Sequence, residues 1–490
     1  MIRRILLACR GEIALRIIRT AQRLGIETIV VFGSDEKAAS FVTESTYREF
    51  TDINNPYSNS DYFISIAKKY RADAIAAGYG PLAENADFAQ SCTDAGFKFI
   101  GPNVAALRLV GDKVQARNLA ISAEIPVIEG GAVTSLENAQ QIAEQIQYPV
   151  LLKAANGGGG RGIRLAENAS MLASIWKEVE QESLSAFGTT NLYIEHFLGH
   201  NIRHIEVQIL SDIEGNVIAL GDRGCSIQRR RQKIVEESPA PGIDEALRSC
   251  IHAAAIKFAQ AAGYTSVGTV EFLVDSSGKF YFIEMNGRIQ VEHPVTEAVT
   301  GIDIVEIMLS IANGETLSDD VISATIHGHA FEFRICAEDP FYDFIPSGGM
   351  ITACSFPQGA CIRIDSGISA GNIQPSIYDS LCLKLIIWGK NRNEALLRAK
   401  VAFKELYVAG LPTNIPFHKW LFENESFSSG NYNLSLTDSF IPELPNKTLT
   451  HQISIAAVLR EYLSTPAHPT TSSTQSSRWK IINEYRGYHG

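Results

Sequence analysis

The sequence predicts an α/β and α+β protein: an N-terminal doubly wound parallel sheet, a small module around a glycine loop, and a larger unit rich in antiparallel strands. Three observations predict it. Short apolar runs alternate with amphipathic helical stretches over about the first 110 residues. A run of glycines sits between strand-like segments at 148–155 and 163–166. Beyond residue 198, apolar runs carrying single acids come in hairpin-like pairs.

In order, residues 5–8 read as a buried first strand, 12–24 as an amphipathic helix and 27–32 as a second strand. Residues 72–77 and 97–100 are further short strands, each followed by Gly and a helical pattern. The GxGxxG fingerprint is missing after the first strand, so a nicotinamide dinucleotide is not supported. This first unit spans 1–124. The second, 125–197, holds a helix at 135–147 with Ser135 at its cap and Glu137 in its first turn. A strand (148–155), the glycine loop (156–162), a strand (163–166), a helix (168–187) and a strand (191–197) follow. The third unit spans 198–440. Residues 441–490 form an extension whose Pro/Ser/Thr-rich stretch, 464–477, reads as a linker.

The 490 residues are 45% hydrophobic and 20% charged, ordinary for a globular protein, with a net charge of −11. That balance argues against a general nucleic-acid or anionic-membrane binder. No apolar run approaches the roughly 18 residues of a membrane span. The start, MIRRILLACRGE, is too short in apolar residues for a secretory signal. Eight scattered cysteines form no CxxC pair, so neither a zinc site nor a redox motif is expected, and a reducing cytoplasm fits.

Several residues carry chemistry. Lys153 ends a strand, and Gly157, Gly158, Gly159 and Gly160 follow it. Backbone N–H groups in such a loop can approach a phosphate closely, although a flexible turn has the same composition. No GK[ST] follows, so it is not a Walker loop. The runs 267–274 and 279–286 form a hairpin, and each contains one acid, Glu271 and Glu284. If Ser277 and Gly278 close a two-residue turn, these acids lie directly opposite one another, where like charges destabilise. Mg²⁺ on nucleotide phosphates would resolve the conflict. Asn286 shares the face of Glu284. The segment 286–294 then brings together Arg288, Gln290, Glu292 and a candidate base, His293, which suits a small charged substrate or a plain polar loop equally. Residues 229–233, RRRQK, lie between strand patterns and read as a cationic wall of a pocket. Arg334 lies in an apolar strand, where a structural ion pair with Glu332 or Glu338 is the alternative to a functional role. Lys113, alone, would be a surface lysine.

Together these segments resemble the biotin carboxylase family of ATP-grasp enzymes. The likeness runs through RGEIALRIIR (10–19), GYG and AEN (78–85), GDKV (111–114), KAANGGGGRG (153–162), HIEVQIL (204–210), QRRRQKIVEESPAPG (228–242), EMNGRIQVEHPVTE (284–297) and FRICAEDP (333–340). It implies a pre-ATP-grasp N-terminal domain, an ATP-grasp lid, and an ATP-grasp core with a C-terminal domain. It implies that Lys113, Lys153, His204, Gln228 and Arg231 contact ATP, with the four glycines closing over its phosphates and Glu195 and Leu198 flanking adenine and ribose. Glu271 and Glu284, with Asn286 nearby, would hold Mg²⁺, or Mn²⁺ in its place. Lys233, Arg288, Gln290 and the Val291 backbone would hold bicarbonate, and Glu292 would deprotonate it. Arg334 would stabilise the biotin enolate-like oxygen, and Tyr79 would pack on biotin.

The implied reaction is carboxylation of biotin through carboxyphosphate, the first half-reaction of an acyl-CoA carboxylase of the kind used in fatty acid biosynthesis. No methionine neighbours a lysine, so biotin is expected on a separate carrier protein, with the carboxyltransferase on a further chain. A homodimer is expected from Arg19, although Arg23 stands at an acidic position of the family. Other departures are Arg231 for His, Asn156 for Gly, Gly287 for Thr, Ala76-Ala77 for His-Pro and Cys9 for Asn. They motivate one alternative, a non-catalytic nucleotide-binding paralogue. Another ATP-grasp carboxylate ligase is the second alternative, but it would not need Arg334 or Glu292.

Overall fold

A computed structural model describes residues 1–154, 163–187 and 190–442, together with residues 455, 456 and 459. The expectations for Gly157, Gly158, Gly159, Gly160 and the 464–477 linker therefore lie outside the described residues. Residues 1–441 form one unit and 442–490 another.

The N-terminal sheet has five parallel strands: β1 (Arg4–Leu7), β2 (Glu27–Phe32), β3 (Tyr47–Phe50), β4 (Ala74–Ala76) and β5 (Lys98–Ile100), in the order β3-β2-β1-β4-β5. Successive residues alternate between two apolar clusters. Ile5 and Leu7 pack with Ile13 and Ile17 of helix α1 (Gly11–Arg23), whereas Leu6 and Ala8 pack with Phe63, Ile66 and Phe88 on the other face. Both faces are thus covered, which explains the continuous apolar runs. The edge strand β3 is absent from the sequence expectation. Its YREF pattern alternates half-buried with exposed residues, so it lacks the apolar run that marks the inner strands. The strand order reverses between β1 and β4, which places the loops following both at one edge.

The second sheet has four strands: β6 (Gly130–Val133), β7 (Val150–Ala154), β8 (Ile163–Ala166) and β9 (Leu192–His196), in the order β6-β9-β7-β8. The helix Leu136–Ile146 begins where the sequence places it, with the Ser135 hydroxyl accepting from the Asn138 N–H.

The third sheet carries most of the polar residues of interest. Its strands are β10 (Arg203–Ser211), β11 (Val217–Arg229), β12 (Gln232–Ser238), β13 (Ser266–Val274), β14 (Phe280–Asn286), β15 (His329–Cys336), β16 (Ile362–Ser366) and β17 (Leu381–Gly389). They are antiparallel, in the order β14-β13-β10-β11-β12-β15-β17-β16. Along β10, Ile205, Val207 and Ile209 enter an apolar core, while His204, Glu206 and Gln208 share the opposite face.

Glu271 does lie opposite Glu284, but not through the turn expected. The hairpin closes around Asp275, whose side chain accepts from the Ser277 and Lys279 N–H groups. That turn alone pairs Phe272 with Phe282. A register shift between Glu271 and Phe272 then brings the two acids level.

The C-terminal end of the large sheet is fastened by Glu237 of β12. Fully buried, it accepts from Arg392 Nε at 2.7 Å, lies 2.6 Å from His329 Nε2 and bonds the Tyr432 hydroxyl. Burial pushes its carboxyl up, but His329 and Arg392 outweigh that and bring it down to about 2. A carboxylate lowered in the folded state stabilises above its unfolded value near 4.5 and loses that contribution as pH falls toward 2. We predict that Glu237→Gln costs on the order of 3 kcal/mol at neutral pH. The stability gap to wild type in urea unfolding should be flat above about pH 5 and narrow as pH falls from there toward 2. A gap independent of pH would contradict this assignment.

Candidate active site

A single row of side chains crosses four strands of the large sheet: Arg223, Glu206, Glu271 and Glu284 are successive register partners on β11, β10, β13 and β14. Three acids side by side need cations. Arg223, with no exposed surface, directs all its donors inward. Its Nε donates to Glu206 at 2.5 Å, Nη1 to Gln208 at 2.8 Å and Thr296 at 2.9 Å, and Nη2 to Gln290 at 2.9 Å and Thr269 at 3.1 Å. Lys233 lies between the row and the loop after β14. Its ammonium reaches Glu206 at 2.5 Å, Glu292 at 2.7 Å and Glu271 at 3.0 Å.

These contacts set the charge states. Burial lowers Lys233, but Glu206, Glu271 and Glu292 overcome it and hold the ammonium well above its usual range. Burial raises Glu292, but Lys233, Arg334 and Arg223 hold it well below the usual carboxylate range. The same holds for Glu271, through Lys233 and His204. Both are therefore carboxylates at neutral pH. Arg334 bridges Glu292, at 2.9 Å, and Glu236. Its partners are thus neither of those the sequence offered: the two Glu332 oxygens have no hydrogen-bond partner, and Glu338 accepts from Ser380. Glu236 is pushed up to about 7 by burial, against the pull of Arg334.

A cavity of about 460 Å³ opens on the other side of Glu271. Lys113, Lys153, Glu195, His204, Gln228, Arg231, Glu271 and Glu284 all line it, which brings together residues from the second sheet, the third sheet and the helix Lys113–Ser122. Lys153 pairs with Glu195, and Lys113 approaches Glu284 at 3.4 Å. His204 lies 2.7 Å from Glu271 through Nε2 and 2.5 Å from the Gln228 amide through Nδ1. Leu198 does not line the cavity, although its neighbours Phe197 and Gly199 do. The cationic wall is narrower than expected. RRRQK is the tight turn between β11 and β12, so its side chains diverge. Arg229 and Arg230 turn to Asp343, Arg231 faces the cavity, and Lys233 is buried behind it.

The loop after β14 is held from several sides. The Gly287 N–H and Arg288 Nε donate to the two Glu84 oxygens, at 3.0 and 2.9 Å, and Arg288 Nη2 donates to Asn286 at 3.0 Å. The Gly287 backbone is thus tied to Glu84. A Cβ there would lie 3.0 Å from Leu107 and 3.3 Å from Val110, which close on the space a larger side chain would take. Gln290 Nε2 and Asn286 Nδ2 both donate to Glu271, at 2.8 and 2.9 Å. His293 donates through Nδ1 to the Gln290 carbonyl at 2.7 Å, and burial first, then the nearby Lys384, hold its pKa well below the usual histidine range; its Nε2 has no hydrogen-bond partner.

Sequence reasoning missed Glu84, Glu206, Arg223, Glu236 and Lys384. Two of them left a local signal: Glu206 alternates with His204 and Gln208 along an otherwise apolar strand, and Lys384 is the one charge in the apolar strand LCLKLIIWG.

Three family models cover the chain. The biotin carboxylase N-terminal domain matches residues 1–107, the carbamoyl-phosphate synthase L chain ATP-binding domain 112–320, and the biotin carboxylase C-terminal domain 332–439. Biotin carboxylase 1 of Bacillus subtilis is 43% identical over 446 residues, 90% of this chain and 99% of that protein. The chain belongs to the biotin carboxylase family. Its fold agrees with this membership. The biotin carboxylase of Campylobacter jejuni, solved as a βγ-ATP complex, superposes with a TM-score of 0.87 at 43% identity, covering 90% of this chain and 99% of that one. The biotin carboxylase domain of Hydrogenobacter thermophilus 2-oxoglutarate carboxylase, solved with MgADP and bicarbonate, also gives 0.87, at 39% identity over 90% of this chain and all of that one. As a biotin carboxylase, this protein is an ATP-grasp ligase.

Removing one member of a buried charge network strands the rest. Arg223→Met is expected to destabilise the fold by about 3–5 kcal/mol in urea unfolding. A loss below about 1 kcal/mol would show that Lys233 alone neutralises the row.

Proposed function

We propose that this protein carboxylates biotin presented by a separate carrier protein, using ATP and bicarbonate and passing through carboxyphosphate. The observation that carries this reading is Lys233, whose one ammonium touches Glu271 on the cavity side and Glu292 on the loop side. A nucleotide in the cavity would thus lie one side chain away from an anion held at Glu292. The solved relatives add support, since one was crystallised with a nucleotide analogue and another with both MgADP and bicarbonate.

ATP would lie against Lys113, Lys153, His204, Gln228 and Arg231, with Glu195 beside adenine and ribose; the family resemblance adds the four glycines over the phosphates. Two opposed carboxylates form a hard, all-oxygen donor pair, so Glu271 and Glu284 fit Mg²⁺ or Mn²⁺, with Asn286, whose amide oxygen accepts from Arg288, beside them. When bound, the ion would neutralise charge on the phosphates. Bicarbonate would be held by Lys233, Arg288, Gln290 and the Val291 backbone. Glu292, already ionised, would take its proton as a bicarbonate oxygen bonds to the γ-phosphorus and the bond to ADP breaks. Carboxyphosphate would then split into CO₂ and phosphate. That phosphate would remove the ureido proton of biotin, and the nitrogen would attack CO₂. Arg334 would stabilise the negative ureido oxygen and Tyr79 would pack on the rings. Positioning and charge stabilisation do most of the work in such a scheme.

The finer assignments belong to the same proposal. The carrier and the carboxyltransferase are other chains, the final acceptor is an acyl-CoA, the setting is cytoplasmic and the working unit is a homodimer. Among the described residues no helix is long and apolar enough to cross a membrane. Arg23 pairs with Asp303 at 2.8 Å and Glu306 at 2.6 Å, and Arg19 with Glu44 at 3.3 Å, all within one chain; both arginines are half exposed.

We expect bicarbonate-dependent ATP hydrolysis that free biotin stimulates, and a fall of about 100-fold or more in Glu292→Gln. Absence of biotin stimulation, together with an undiminished variant, would overturn the reading. ATP cleavage requiring some other carboxylate would favour a different ATP-grasp ligase.

A further inference from the structure

Glu12 and Lys384 have no part in the scheme above, yet they stand between two of its sites. The reversal of strand order between β1 and β4 sets the loops that follow them side by side. Glu12 lies in the first turn of α1, just after β1, and Tyr79 lies just after β4. The Tyr79 hydroxyl donates to Glu12 Oε1. Glu12 Oε2 in turn lies 3.0 Å from Lys384 Nζ, on β17 of the large sheet. That same Nζ donates to the Val291 carbonyl at 2.9 Å. Four residues from four segments of the chain thus form one continuous line.

The middle of the line is buried and has few substitutes. Lys384 has no exposed surface, and Glu12 is only 5% exposed. Of the other acids near Lys384, Glu332 is pushed well above the usual carboxylate range by burial, and Asp365 is 3.9 Å away and already receives two bonds from Arg363, at 2.9 and 2.6 Å. Glu12 is therefore the main counter-ion of Lys384. The start of α1 is fixed against the large sheet as well. A Cβ at Gly367, just beyond β16, would lie 3.2 Å from the Glu12 nitrogen, so the backbones meet there without room for a side chain. The carbonyl that Lys384 holds belongs to the peptide joining Val291 to Glu292, and because that peptide is planar, holding its oxygen restrains the Glu292 N–H as well.

We propose that Glu12 and Lys384 are a positioning pair that ties Tyr79, on the biotin side, to the Val291–Glu292 backbone, on the bicarbonate side. The inference rests on the reading of those two sides given above. Neither residue touches a substrate; Glu12 acts through Tyr79 and Lys384, and Lys384 through the backbone.

The test is steady-state kinetics of biotin-stimulated, bicarbonate-dependent ATP hydrolysis by the full chain. The variants are Glu12→Gln, Tyr79→Phe and the double variant. Glu12→Gln should raise the KM for biotin about tenfold and that for bicarbonate severalfold, with the KM for ATP unchanged. Tyr79→Phe should raise the biotin KM alone, and the double variant should be no worse for biotin than Glu12→Gln. A merely structural pair would lower the active fraction, and so kcat, while leaving every KM in place. Biotin and bicarbonate KM values within about twofold of wild type in a folded Glu12→Gln, or additive effects in the double variant, would overturn the proposal. If Glu12→Gln fails to fold, Tyr79→Phe decides, because it removes the hydroxyl link and keeps the buried charges; an unchanged biotin KM then overturns it. A wild type without biotin stimulation would instead refute the functional reading.

Discussion

The whole site depends on one ammonium group. Lys233 is surrounded by Glu206, Glu271 and Glu292, which belong to two strands and one loop. Each acid alone would be too costly to bury as an ion, and the three together more so. With Lys233 among them and Arg223 behind, Glu271 and Glu292 remain ionised in a closed interior. Such a network contributes little net stability over an apolar core of the same shape, so its value lies in what it holds ready. It keeps a charged surface facing the cavity and an ionised carboxylate, Glu292, on the loop beyond.

The fold makes this arrangement possible through register. Antiparallel pairing brings Arg223, Glu206, Glu271 and Glu284 into a row across four strands, and a register shift after Glu271 completes it. The N-terminal parallel sheet contributes at its point of strand reversal, where Glu12 and Tyr79 meet. The second sheet contributes Lys153 and Glu195 to the opposite wall of the cavity.

Much of this is legible in the residues. Apolar periodicity locates β1, β2, β4 and β5 to within two or three residues, because strands buried on both faces leave continuous runs. It does not find β3, whose pattern is that of an edge. The opposition of Glu271 and Glu284 follows from pairing two acid-bearing strands, although the turn and the register shift that produce it leave no signature. Long-range partners are the least visible. Arg334 points, by sequence, to its near neighbours, whereas its actual partners, Glu236 and Glu292, are separated from it by 98 and 42 residues. Glu84 looks like part of a short motif, but its task is to receive the Gly287 backbone and Arg288, about two hundred residues away. Contacts of this kind are made by topology, and a single sequence contains no trace of them.

In the proposed reaction, bicarbonate held on the Glu292 side of Lys233 is the nucleophile toward the γ-phosphate of a nucleotide held on the Glu271 side. The most direct test supplies ¹⁸O-labelled bicarbonate with ATP and biotin and reads the isotope in the inorganic phosphate released. Transfer of one ¹⁸O per phosphate is the predicted result. Phosphate carrying oxygen from solvent water alone would contradict it.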